Sequence, residues 1–143
     1  MKVSSRIDYA LSCLLDVAEQ YDTKKPISVT NIAEREGLEV DYVEQLLIIM
    51  KRAGILKSVR GAKGGYMLAS APHRISAYDI VKAFEGEILE LVCYRKKGRR
   101  SKCVHLHCCE VKKFWLGLGD AIEKYLENNT LEELLKLRKK EKK

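Results

Sequence analysis

The segment Ser58-Val59-Arg60-Gly61-Ala62-Lys63-Gly64-Gly65-Tyr66-Met67-Leu68 decides the fold. Strand-like residues flank a basic, glycine-rich centre, with Ile55 to Val59 before it and Tyr66 to Ala69 after it. Two such runs joined by a short glycine-containing link read as a β-hairpin. A nucleotide-binding phosphate loop of similar composition would open a helix, and this one is followed by a strand. Arg60 and Lys63 charge the tip, and glycine lets a backbone approach a phosphate or enter a minor groove.

Two helices precede the hairpin. Ser28 opens the first, which passes through Ile32 and Ala33 and stops at Gly37. The second runs from Asp41 to Ala53 and ends at Gly54. Its apolar stripe is Val43, Leu46, Leu47 and Met50, while Asp41, Tyr42, Glu44, Gln45 and Ile48 point the other way. Alone, the pair is either a helix-turn-helix or an ordinary helical hairpin with a polar outer face. A β-hairpin directly after it makes the hairpin a wing and favours the first reading. In that motif the first turns of the second helix enter the major groove, which places Tyr42, Glu44 and Gln45 at the reading end.

The remaining elements are helical. Residues 4–21 repeat Ile7, Ala10, Leu11, Leu14, Val17, Ala18 and Tyr21 at helical spacing, with Ser5 and Asp8 as a candidate capping box. Cys13 falls at the edge of that apolar face and reads as core. Ser76 and Asp79 form a second candidate box, before Ile80, Val81 and Phe84, and Gly86 ends that helix. A long amphipathic helix spans residues 109–128, with Val111, Phe114, Trp115, Leu118, Ile122, Tyr125 and Leu126 on one face. Thr130 and Glu133 suggest a third box, opening a final helix. The fold expected is mainly α with a small β-hairpin wing: a winged helix-turn-helix plus a long C-terminal dimerisation helix. The division expected is a DNA-binding domain at 1–86, a cysteine-containing loop at 87–109, and a dimerisation helix with C-terminal helix and basic tail at 110–143. A small winged domain does not need the apolar face of the long helix for its own core: the helix either packs back on that domain or, more economically, pairs with a two-fold mate, which would also present two recognition helices to palindromic double-stranded DNA.

Charge alone identifies no DNA-binding core. The net charge is +7, but Arg95, Lys96, Lys97, Arg99, Arg100 and Lys102 form one basic run and Arg138 to Lys143 another. Together these runs exceed the total, so the rest of the chain is slightly acidic; both read equally well as solvated loop and tail. The N-terminus is too polar for a signal peptide, and no apolar run is long enough for a membrane helix, so a cytoplasmic protein is expected. No nucleophile–base–orienter set suggests an enzyme.

Four cysteines, Cys93, Cys103, Cys108 and Cys109, crowd the segment before the long helix. Thiols grouped this way in a reducing compartment suggest a metal site more than a disulfide framework. Cys103, His105, His107 and Cys108 also make a plausible zinc set, and a thiol switch without metal is a further option. The basic run beside them favours thiolate and offsets the charge of a thiolate-bound cluster.

With these motifs assembled, the chain resembles the Rrf2 family of bacterial winged helix-turn-helix regulators, of the IscR and NsrR type. The resemblance rests on Ser5-Arg6-Ile7-Asp8-Tyr9-Ala10, Ile32-Ala33-Glu34-Arg35-Glu36-Gly37, Tyr42-Val43-Glu44-Gln45-Leu46-Leu47, the wing quoted above, and Asn129-Thr130-Leu131-Glu132-Glu133-Leu134. It implies a homodimer joined through the long helix, and DNA contacts at Asp41, Glu44, Gln45 and Arg60. Glutamate accepts from cytosine, glutamine pairs bidentately with adenine, and arginine reads a narrowed minor groove. Ile48 and Ile49 depart from the polar residues usual in the family. The resemblance further implies an iron–sulfur cluster, four-iron four-sulfur rather than two-iron two-sulfur, on Cys93, Cys103 and Cys109. It would sense redox state, nitric oxide or iron supply. Five residues separate Cys103 from Cys109, as in the family, whereas nine separate Cys93 from Cys103, a longer gap than usual. Asp8, donated across the dimer, matches the fourth-ligand position of one branch; Cys108, His105 and His107 are alternatives, and Lys112 stands where the other branch has histidine. Some relatives act through a protein of cysteine metabolism, so regulation through a protein partner is the remaining alternative.

Overall fold

Apolar periodicity becomes six α-helices and one hairpin among residues 3–88 and 109–143, the parts of the chain that the computed structural model describes. Helix α1 (Ser5–Glu19) buries Ile7, Ala10, Cys13, Leu14, Val17 and Ala18 along one side. Its cap is Ser4, whose Oγ accepts the Arg6 N–H at 3.2 Å. The expected Ser5–Asp8 box therefore does not form. The helix starts one residue earlier than that box requires, Ser5 lies inside it, and Asp8 is left exposed.

Helix α2 (Val29–Glu36) begins and ends where its sequence signals stand. Ser28 Oγ accepts the Asn31 N–H at 3.2 Å. Gly37 closes the helix with φ 64°, a left-handed conformation that glycine adopts without a Cβ clash. Helix α3 (Val40–Arg52) buries Val43, Leu46, Leu47 and Met50, the stripe expected from spacing.

Strands β1 (Leu56–Val59) and β2 (Gly65–Leu68) pair antiparallel, Leu56 opposite Leu68 and Val59 opposite Gly65. Leu56, Tyr66 and Leu68 face the core. Ile27 adds a short third rung beyond β2: its N–H donates to the Tyr66 carbonyl at 3.0 Å, and the Tyr66 N–H to its carbonyl at 2.8 Å. Gly65 permits this approach. It has φ 152°, and a Cβ there would collide with the Ile27 carbonyl.

Helix α4 (Ala77–Glu85) carries the expected box. Ser76 Oγ accepts the Asp79 N–H at 3.2 Å, and Asp79 Oδ2 accepts the Ser76 N–H at 2.9 Å. Helix α5 (Glu110–Asn128) packs against α4, yet none of its residues is buried. Helix α6 (Leu131–Glu141) returns to the first part of the chain. The Ala77 N–H donates to the Asn129 carbonyl and the Leu131 N–H to the Ile75 carbonyl, each at 2.8 Å. Leu131 is fully buried in one core with Leu14, Ile32, Leu46, Leu47 and Ile80. Half of the third expected box is present: Thr130 Oγ1 accepts the Glu133 N–H at 3.4 Å, while the Glu133 carboxylate turns to Lys136 at 2.8 Å.

An ion cluster fastens α6 in place. Asp16 is 1% exposed and meets Arg138 Nη2 at 2.9 Å. The same guanidinium reaches Glu36 at 3.3 Å and Glu19 at 3.6 Å, and Arg35 and Lys142 complete the cluster from outside. Three carboxylates from α1 and α2 thus surround one arginine of α6. The basic tail is therefore not wholly solvated, since Arg138 is taken up by the fold.

Candidate functional site

The front of α3 is polar because its back is apolar. With Val43, Leu46 and Leu47 turned into the core, Asp41, Glu44 and Gln45 are exposed together at the N-terminal end of the helix. Tyr42 behaves differently. It is half-buried, packs at the edge of the core, and meets the Tyr9 ring edge-on at 6.1 Å. Tyr9, to which the sequence assigned no role, thus braces α3 from α1. Its only sequence signal is an aromatic lying outside the apolar stripe. Ile48 and Ile49 are half-buried.

The wing tip places Arg60 and Lys63 in solvent beyond the paired strands. At its base the Tyr66 phenol is pushed up by burial and then by the nearby Glu44 carboxylate of α3. Arg60, Lys63, Asp41 and Glu44 have no ion pair among the described residues, so their charges are available to a ligand, and the Gln45 amide is exposed beside them. Such a surface suits duplex DNA: acceptors and amide groups for base edges, flanked by cations for phosphates.

The candidate metal residues are divided. Cys93 and Cys103, with Cys108, His105 and His107, lie outside the described residues. Cys109 lies within them, half-buried, as the N-cap of α5, and its Sγ accepts the Lys112 N–H at 3.4 Å. A helix N-terminus complements negative charge on such a sulfur. Asp8 stands on the exposed side of α1 with no ion pair among the described residues. No group of three or more candidate ligands is assembled among the described residues of this single chain. Cys13 is a different kind of thiol. It is fully buried, and burial, with Glu36 and Asp16 nearby, pushes it up to about 12. It stays a neutral core residue, as its place on α1 suggested.

Comparison with known proteins agrees with this surface. Residues 3–137 match a family model described as Rrf2, iron-dependent transcriptional regulator. The transcriptional regulator CymR of Bacillus subtilis is 33% identical over 136 residues, covering 94% of this chain and 89% of that protein. The regulator IscR of Vibrio campbellii is also 33% identical over 136 residues, covering 95% and 78%. Among solved structures, CymR of B. subtilis, titled the global cysteine regulator, superposes with a TM-score of 0.75 at 30% identity, covering 96% of this chain and 98% of that one. IscR of T. potens gives 0.71 at 34% identity, covering 95% and 87%. No helix among the described residues is long and apolar enough to cross a membrane.

Proposed function

The chain belongs to the Rrf2 family of DNA-binding transcriptional regulators, and on that footing we propose that it is a cytoplasmic homodimer whose grip on a palindromic operator is set by an iron–sulfur cluster. The observation that carries the reading is the exposed front of α3 beside the wing, with Glu44 close to both. In this reading Gln45 and Glu44 meet base edges, Asp41 and Tyr42 border them, and Arg60 and Lys63 enter the flanking minor groove. The exposed side of α5 joins two copies, so that the two reading helices face successive turns of one duplex. Residues 1–86 then read DNA, residues 87–109 sense, and residues 110–143 dimerise and anchor.

Cys93, Cys103 and Cys109 would hold the cluster, four-iron four-sulfur in preference to two-iron two-sulfur, with Asp8 of the partner subunit as fourth ligand. Three thiolates suit such a cluster, and the N–H facing the Cys109 sulfur is the kind of contact that tunes its potential. When bound, the cluster supplies iron and sulfide that redox change, nitric oxide or iron shortage can alter. The residues' own part is to couple: Cys109 caps the dimer helix, and Asp8 lies beside Tyr9, which contacts Tyr42 on the reading helix. A signal changes affinity only if it favours one arrangement of these helices over another.

The CymR likeness supports a second reading, in which the same thiols act as a metal-free switch or the protein works through a partner of cysteine metabolism; a zinc site on the same segment is its metal-bound variant. Anaerobic purification followed by visible spectroscopy separates the readings. The cluster reading expects a brown protein whose visible absorbance disappears in Cys103→Ala. A colourless protein that stays colourless after reconstitution with iron and sulfide would overturn it, and bound zinc would then identify the metal-bound variant.

A further inference from the structure

An apolar side chain interrupts the polar front of α3. Asp41, Glu44, Gln45 and Ile48 are spaced i, i+3, i+4 and i+7, so they share one face of the helix. Val43, Leu46, Leu47 and Met50 occupy the other face and are buried. Ile48 is half-buried, yet it is not among the hydrophobics of the described residues that pack against the core. Tyr42, on the flank of the helix, is among them. Ile49 differs from Ile48 in its place. It follows Tyr42 by seven positions and so shares the flank on which Tyr42 meets Tyr9 of α1.

The residues around Ile48 are polar or charged. The next exposed residue in its row, Arg52, has no ion pair among the described residues. From the N-terminal end the row therefore runs acid, acid, amide, isoleucine, cation. A major groove offers each of these a counterpart. Base edges pair with carboxylates and amides, phosphates answer a cation, and the C5 methyl of thymine is the apolar group that the groove presents. Homeodomains read their sites with four side chains of one helix at this same spacing. Along the axis Ile48 is about 4.5 Å from Gln45, which keeps it within reach of a neighbouring base pair.

We infer that Ile48 is a specificity-determining residue, whose side chain packs on the C5 methyl of a thymine and so selects that base at one position of the operator. It adds an apolar readout to the polar readout by Glu44 and Gln45. The inference rests on α3 as the reading helix and not on the cluster, so loss of the cluster reading leaves it standing.

The test uses the full-length protein and a duplex selected from a random library by the wild type. Each thymine of that duplex is replaced in turn by deoxyuridine, which keeps the base pair and deletes only the methyl. Affinity is measured by fluorescence anisotropy for the wild type and Ile48→Ala, with thermal melting to verify folding. At one thymine the wild type should lose about fourfold in Kd, the worth of one buried methyl. Ile48→Ala should bind the thymine and uracil duplexes equally at that position and respond as the wild type does at the others. The ratio is taken within each variant, so a general weakening of Ile48→Ala cancels. A wild type indifferent to every replacement, or an effect that persists in Ile48→Ala, overturns the inference. Gln45→Ala, carried through the same selection, separates this failure from failure of the reading beneath it. A changed base preference keeps α3 in the groove whatever Ile48 does, whereas an unchanged one, with no uracil effect in the wild type, removes both. Should Ile48→Ala melt early, Ile48→Val, one methyl shorter, gives the same readout as a partial fall in the ratio at that thymine, and an unchanged ratio overturns the inference.

Discussion

Arg138 is the residue on which α1, α2 and the last helix converge. Removing it strands Asp16, which is 1% exposed, with only the more distant Arg35 at 3.9 Å. Breaking a buried pair from one side typically costs about 3–5 kcal/mol. Arg138→Ala should fall at the lower end, because its side chain retains 23% exposure. A drop in Tm on the order of 10 °C by differential scanning calorimetry is expected. Glu36 offers a second measurement in the same cluster. Burial, then the Asp16 charge and a hydrogen bond with Asp16, raise its carboxyl above the usual range, against the opposing pull of Arg138. The folded state thus holds this proton more firmly than the unfolded one. Its contribution is complete below the ordinary carboxylate range and is lost as pH rises through the raised value. Glu36→Gln removes that loss, so its Tm should gain on the wild type as pH climbs through this window. A difference that stays flat with pH would refute the assignment. None of this cluster was legible in the sequence. Asp16 and Arg138 are far apart along the chain, and no period connects them. The one hint was an acid lodged between Cys13 and Val17, inside the apolar arc of α1.

Elements were legible where a local signal had no rival. The back of α3, the Ser28 and Gly37 ends of α2 and the Ser76–Asp79 box follow their sequence patterns because each depends on neighbours within about four residues. The Ser5–Asp8 box did not form because Ser4 supplies the same capping oxygen one position earlier. The wing was legible as a hairpin, but one of its glycines has a use that the sequence concealed. Gly65 is required by the Ile27 carbonyl within the fold, whereas a close approach to phosphate had been expected of it. On α3 itself, Gln45 is exposed and without a structural task among the described residues. Gln45→Ala should therefore leave Tm unchanged while lowering discrimination at one base pair by about 1–3 kcal/mol. Selection of bound sequences before and after the change checks this, and an unchanged base preference would remove Gln45 from the reading set.

At the scale of the molecule, α5 is the element that the single chain leaves unfinished. Phe114 is 67% exposed and Tyr125 69%, with Val111 and Trp115 also in solvent, although the helix is continuous and well capped at Cys109. The amphipathic pattern was readable, whereas its partner was not, because a sequence does not state which surface covers which. If two copies meet there, Phe114→Glu should yield a folded monomer in sedimentation velocity, with affinity for a palindrome reduced to that for a half-site. A variant that remains dimeric would place the junction elsewhere. The return of α6 to the first part of the chain has a consequence for synthesis. Leu131 fills the core among residues made as early as Leu14, and Arg138 pairs with Asp16, made just after it. A nascent chain that has emerged only as far as Asn128 has α3 but a gap where Leu131 belongs, and at Asp16 only the more distant Arg35. The core therefore closes late in translation, after α5 has been made, and a product truncated before Leu131 should be less stable than the full chain.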